Sequence, residues 1–311
     1  MKAGNRSRPH EIDPAGSPSG RLRCRCIAKT KCDIQYRHAS RLAVTERPVG
    51  PRDLADWLLA RGRQWVTTAE AAELLGIPEV HVSPTLARWQ RQGSLFSPTK
   101  GLYVAIPPEF RLWGAVPASH FIDAMMAHLD HPYYVGRLSA AEVHGYAHQR
   151  PQVFQVITTA QLRDRSFGRV RVAFSTSRRA AERPVVEVNT PTGTMRVSTR
   201  ETTVLDLVAC PDESGSLDNV AKIIGEMLDD ASLDIQALAA VADGYPTSVG
   251  QRVGWLLDFL ADHKGVQAAT EPLHRGLSRS AALWLDSSGP RAGQVDERWN
   301  VIANEEPQPE S

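Results

Sequence analysis

The stretch TTAEAAELLGIPEVHVSPTLARWQRQG, residues 67–93, decides how this chain is read. Thr67 and Glu70 stand three apart, as in a capping box, where each side chain takes the other residue's free backbone amide. The helix they open carries Ala71, Leu74 and Leu75 on one face and stops at Gly76. Ile77-Pro78 turn the chain into a second helix, in which Val82, Leu86 and Trp89 recur on one face before Gly93 ends it. Pro84 leaves two readings open. In a helix starting at Glu79 it would remove a donor and clash with the preceding turn. In a shorter helix capped by Ser83 it would occupy the favoured first position.

Upstream, Leu54, Trp57 and Leu58 mark an amphipathic helix ended by Gly62. Downstream, Leu95-Phe96 and Leu102–Ala105 flank Ser97–Gly101, a polar turn with a glycine, as a β-hairpin closed by Pro107-Pro108. Helix, capped helix, short turn, helix and hairpin is the winged helix-turn-helix arrangement, expected over residues 49–108. With Val82, Leu86 and Trp89 packed inward, His81, Pro84, Thr85, Arg88 and Arg91 face outward. Such a helix fits the major groove, where arginine donates two hydrogen bonds to guanine. Thr85 suits a thymine methyl or a phosphate, and Thr99 and Lys100 at the hairpin tip suit phosphate or the adjoining minor groove. The competing reading is a helical subdomain that binds protein, since residues 49–105 carry only 6 Lys+Arg against 5 Asp+Glu.

The remainder predicts an α+β chain: the winged helix-turn-helix, a mixed α/β region, then a mostly helical C-terminal region. Helices are expected near Ser119–Leu129, Ser139–Gly145 and Thr203–Ala209, the last capped by Thr199–Thr202. Strands are expected at Tyr133–Gly136, Val153–Thr158, Val170–Ser175, Val185–Val188 and Thr194–Val197. Further helices fall at Val220–Asp229, Ile235–Ala242 and Gly250–Asp262. Residues 118–304 read as one effector region and 305–311 as a tail.

A formal net charge of +1 conceals a gradient. Residues 1–48 carry 11 Lys+Arg against 4 Asp+Glu, and residues 201–311 carry 7 against 19. A cationic front suits a polyanionic partner. Residues 1–48 lack any helical or strand period and read as a disordered basic extension; a start-site artefact, with translation beginning near Val44, is the other reading. A second basic group, Arg163, Arg165, Arg169, Arg171, Arg178, Arg179 and Arg183, is opposed only by Asp164 and Glu182. Either it supplies secondary phosphate contacts or it is a solvated face.

Other chemistry finds little support. Cys24, Cys26, Cys32 and His38 form C-x-C-x5-C-x5-H, whose single-residue gap is too short for a zinc knuckle. His144 and His148 have metal-gripping spacing, but Gly145 stands where a zincin needs its glutamate. Glu187 follows a strand-like Pro184-Val185-Val186 without a lysine two residues on. No P-loop, nucleophile elbow or dinucleotide fingerprint is present, so no enzyme, metal or cofactor is expected. No apolar run approaches the ~18 residues that span a bilayer, and the basic N-terminus lacks an apolar h-region. A cytoplasmic protein without membrane partners is expected.

Several segments in order carry a resemblance: Arg91–Leu95 with Gly101-Leu102-Tyr103, Tyr133–Gly145 (YYVGRLSAAEVHG), Val197–Leu207 (VSTRETTVLDL), Arg252–Leu257 and Asp296–Asn304. Together they resemble the AbiEi-type antitoxins of type IV toxin–antitoxin systems, particularly actinobacterial members, over roughly residues 50–300. The resemblance implies a repressor of its own operon that binds inverted repeats in double-stranded DNA. It also implies an antitoxin that counters a nucleotidyltransferase-like toxin, with or without direct binding. The alternatives are a nucleic-acid-processing enzyme targeted by the winged helix, using Glu187, Asp206 or the His pair, and a protein-binding scaffold.

Overall fold

The computed structural model describes residues 48–147, 151–277 and 281–308, all within one compact unit, Arg47–Ser311. The basic extension, apart from Pro48, lies outside the described residues, and with it Cys24, Cys26, Cys32 and His38; His148 does too.

The chain enters through α1 (Leu54–Ala60), whose Leu54, Ala55 and Leu58 are buried. A short strand, β1 (Trp65–Thr67), leads into α2 (Thr68–Leu75). The capping box forms as read: the Thr67 amide donates to Glu70 Oε2 at 2.9 Å and the Glu70 amide to Thr67 Oγ1 at 3.3 Å. Burial would raise the Glu70 pKa, but the Thr67 amide and Arg63 outweigh it and hold the carboxyl below its ordinary value. Gly76 ends α2 in the left-handed region at φ 63°, where only glycine is free of a Cβ penalty.

A 3-10 turn at Glu79–His81 precedes α3 (Val82–Arg91). The helix thus begins between the two starts read from the sequence. Pro84 falls in its first turn, where backbone amides have no intrahelical acceptor to lose. Ser83 is not the cap; its hydroxyl meets Tyr103 OH at 2.6 Å and ties α3 to the hairpin.

Strands β2 (Leu95–Thr99) and β3 (Leu102–Ala105) form the expected hairpin. Its first strand runs further than the sequence suggests, with a register shift between Phe96 and Thr99. Ser97-Pro98 sit in that irregularity, which spares proline a ladder hydrogen bond, and Lys100-Gly101 alone make the tip. Antiparallel pairing with β1 completes a three-stranded sheet, order β1-β3-β2. At three residues, β1 is too short for alternation to reveal it.

The hairpin is buried on both faces. Leu95, Tyr103 and Ala105 pack with α1, α2 and α3. Phe96, Leu102 and Val104 belong to the core of the following region. There Phe96 meets Phe121 edge-on at 5.2 Å and Phe167 at 5.5 Å.

That region comprises α4 (Ile122–His128), β4 (Tyr133–Val135), α5 (Arg137–His144), β5 (Phe154–Thr158), β6 (Arg165–Phe167), β7 (Val170–Thr176), β8 (Val185–Thr190), β9 (Gly193–Ser198) and α6 (Arg200–Ala209). Its six strands make one mixed sheet, order β6-β7-β5-β4-β9-β8. Strand alternation sorts the two faces. Tyr133, Val135, Val156, Val172, Met195 and Val197 share the core with the hairpin and α4. Tyr134 and Ile157 point the other way and pack with Ala180.

The C-terminal helices α7 (Leu217–Asp229), α8 (Ile235–Ala242), α9 (Thr247–Lys264) and α10 (Glu271–Gly276) pack with α6 around the largest core. The expectation of a mostly helical end missed a small sheet of β10 (Leu283–Trp284), β11 (Gln294–Asp296) and β12 (Val301–Ala303), order β10-β12-β11. Trp299, beside it, is 2% exposed and donates to Asp258 Oδ2 at 2.7 Å. A Cβ on Gly254 of α9 would lie 2.1 Å from that indole, so the glycine is what admits the ring. The molecule is α+β.

Candidate nucleic-acid interface

The exposed face of α3 follows from its packing. Val82 and Leu86 are fully buried, and Trp89 is half-buried against the same core. His81, Pro84, Arg88 and Arg91 consequently stand exposed, and Thr85 is half-buried. The Arg88 guanidinium lies 5.5 Å from the Trp89 ring centre. Among the described residues neither Arg88 nor Arg91 has a carboxylate partner within ion-pair distance. Two cations on α3 and an imidazole in the turn before it are thus exposed together.

The hairpin tip is different. Lys100 is exposed, but Thr99 is 8% exposed, so its side chain faces inward and not toward a ligand. The tip is also tied down: His128 Nε2–H donates to the Lys100 carbonyl at 3.0 Å, and Arg165 donates to the Pro98 carbonyl.

The second basic group divides in the structure. Arg163, Arg169, Arg171, Arg178 and Arg179 are exposed, Arg165 is spent on Pro98, and Asp164 accepts from the Phe174 amide at 3.0 Å. Arg169 and Arg171 line a cleft of about 510 Å³ together with Trp113, Glu142 and Phe154.

Arg183 turns inward, lying 3.6 Å over the Tyr245 ring and donating to the Gly244 carbonyl at 2.7 Å. It belongs to a buried polar cluster that the sequence reading did not identify. Asp206 Oδ1 accepts from Tyr245 OH at 2.7 Å and from Tyr134 OH at 3.4 Å, while Oδ2 has no hydrogen-bond partner among the described residues. Burial pushes the Asp206 carboxyl up to about 6, although both tyrosines and the nearby Arg137 and Arg183 oppose the shift. Both phenols are pushed far upward, first by burial and then by the Asp206 charge. Arg137, at φ 52°, donates to Ser175 Oγ at 2.9 Å and pairs with Glu213. One sequence signal was available: an aspartate inside the apolar run Val204-Leu205-Asp206-Leu207-Val208 demands a buried partner.

The residues weighed for catalysis sit in separate surroundings. Glu187 is exposed on β8, and Asp206 is buried under two tyrosines. His144 Nε2–H donates to the Ser198 carbonyl at 2.7 Å. Burial holds its pKa below the ordinary value despite that bond.

Residues 134–259 match the family described as AbiEi antitoxin C-terminal domain. Over that stretch the chain is similar to AbiEi-type antitoxins, which supports an antitoxin role. Its fold is similar to the crystal structure of RV2827C protein from Mycobacterium tuberculosis, with a TM-score of 0.57 over 83% of this chain and 92% of that one. At 16% identity the likeness is one of fold. No curated protein matches the chain. Among the described residues no helix is long and apolar enough to cross a membrane.

Proposed function

We propose that the protein is a transcriptional autorepressor as well as an antitoxin, and that residues 49–108 are its winged helix-turn-helix DNA-binding domain. Acting in the cytoplasm without cofactor or catalytic step, it reads inverted repeats upstream of its own operon and counters a nucleotidyltransferase-like toxin. The carrying observation is α3: Val82 and Leu86 are buried, and Arg88 and Arg91 are exposed with no carboxylate partner among the described residues. A helix so mounted can enter the major groove and offer each guanidinium to a guanine edge. His81 and Thr85 lie at its N-terminal end, where recognition helices meet bases. The strand β1 between the first two helices, paired with β3, further supports the winged reading.

The buried Thr99 leaves Lys100 as the tip's contact, and that contact is to phosphate. Arg163, Arg178 and Arg179 extend the cationic surface for backbone contacts.

The test is operator binding by fluorescence anisotropy, using the upstream intergenic duplex and a scrambled duplex. Arg88→Ala and Arg91→Ala should each weaken operator binding by roughly 10- to 100-fold, the worth of one bidentate base contact, with scrambled DNA affected far less. Lys100→Ala should weaken both duplexes alike and flatten the salt dependence by about one counterion. Operator affinity unchanged in both arginine variants removes α3 as the reader.

A further inference from the structure

The cleft beside the β6–β7 turn holds chemistry that operator recognition does not use. Its volume is about 510 Å³, within the range of cavities that take small organic ligands. Trp113 and Phe154 give it aromatic rings and Met195 an apolar patch, while Arg169 and Arg171 give it two cations. Neither guanidinium is paired with a carboxylate among the described residues, and both are exposed. Surface arginines this close in sequence usually point into open solvent. These line a concave site that also contains rings.

The corner is rigidly built. The Arg169 amide donates to the Trp113 carbonyl at 2.8 Å. Gly168 has φ 53°, and a Cβ there would lie 1.8 Å from the Trp113 oxygen. Backbone contact therefore fixes the main chain of Trp113 and Arg169 relative to one another before any ligand arrives. Glu142 lines the same cleft from α5, a different wall from β7, and it has interactions of its own. An anionic group is thus admitted at the β7 end and disfavoured at the α5 end.

We infer that this cleft binds a nucleoside phosphate, with its base on the aromatic and apolar lining and its phosphates on Arg169 and Arg171. Rings that stack with any base and arginines that fork onto phosphate oxygens are the two halves of nucleotide recognition. A free nucleotide and the phosphorylated end of a single strand present the same chemistry. The site is separate from α3 and does not rest on the operator proposal.

Isothermal titration calorimetry on the full chain tests it with ATP, GTP, tripolyphosphate, adenosine and a 5′-phosphorylated hexadeoxynucleotide. ATP or GTP should bind at least tenfold more tightly than tripolyphosphate or adenosine, because only they use both halves of the site. The double variant R169A/R171A, with circular dichroism confirming its fold, should lose at least tenfold in nucleotide affinity. Competition by the hexanucleotide that vanishes in the same variant assigns the ligand to a strand end; its absence, with the nucleotide result intact, assigns it to the free nucleotide. Tripolyphosphate binding as tightly as ATP, no nucleotide binding, or nucleotide binding unchanged in R169A/R171A overturns the inference.

Discussion

The outer face of α3 and the cluster around Asp206 treat arginine in opposite ways. Arg88 and Arg91 are exposed and, among the described residues, have no carboxylate partner. Arg137 has a side chain 8% exposed, donates to Ser175 and pairs with Glu213, while Arg183 stacks on Tyr245. An exposed, unpaired cation contributes almost nothing to folding, since water solvates it in both states. A buried one must be matched, because removing its partner strands a charge in low dielectric. The first arrangement keeps its donors for a ligand, and the second spends them on the fold. Among the described residues Asp206 Oδ2, Arg137 Nε and Arg183 Nε have no hydrogen-bond partner, so even there the matching is incomplete.

The comparison breaks most visibly at Arg137. Replacing it by alanine removes the hydrogen bond to Ser175, the contact with Cys210 Sγ and the pair with Glu213. Because Glu213 remains half-exposed and can be solvated, the cost should fall near the low end for a broken buried pair, about 3 kcal/mol. Urea denaturation measures it. A loss under about 1 kcal/mol, the range of exposed pairs, would put Arg137 in the same category as Arg88 and Arg91, and the contrast would fail.

Asp206 sharpens the comparison through its pH dependence. Its folded-state carboxyl lies at about 6 against an ordinary 3.8, so the folded protein holds that proton more tightly than the unfolded chain. Stability from this group is fully present below pH 3.8 and lost as pH rises through about 6. The full swing is on the order of 3 kcal/mol. Asp206→Asn cannot ionise, so subtracting its unfolding free energy from that of the parent at each pH isolates the swing from other carboxylates. The difference should grow against the parent between pH 4 and pH 6.5 and then level off. A flat difference would show that the tyrosine hydroxyls and arginines fully offset burial.

These two regions also differ in how far the sequence disclosed them. Around α3 the determinants are local: a cap at Thr67, glycines at 76 and 93, and apolar residues at 82, 86 and 89. Short-range spacing therefore gives the helices and the direction of the arginines. What spacing could not supply was the packing of the hairpin's second face, since Phe96 meets Phe121 and Phe167 from distant parts of the chain. The Asp206 cluster is wholly non-local, joining β4, α6 and the residues around Arg183 and Tyr245. Tyr134 and Asp206 were legible within a strand and a helix but not as neighbours, and Arg183 and Tyr245 fall between elements. The strands β1, β10, β11 and β12, of two or three residues each, are too short to carry a period. The cleft at Arg169 combines residues from several elements, and the sequence showed only its arginines as part of a charge run.

The smallest expected change is the most discriminating. Arg88→Ala and Arg91→Ala should shift unfolding free energy by no more than about 1 kcal/mol, close to what surface positions show. Arg88 has only its 5.5 Å approach to the Trp89 ring to lose, and an exposed cation–π contact is worth about 0.5–1 kcal/mol at most. Arg91, in the last turn of α3, loses a favourable position near the helix C-terminus worth a few tenths. Thermal and urea unfolding of both variants should therefore overlay the parent, while the same preparations lose operator affinity. That dissociation of binding from stability is the signature of a side chain held for a partner. A destabilisation above about 2 kcal/mol in either variant would mean that the arginine supports the module itself, and any binding lost with it would no longer identify a base contact.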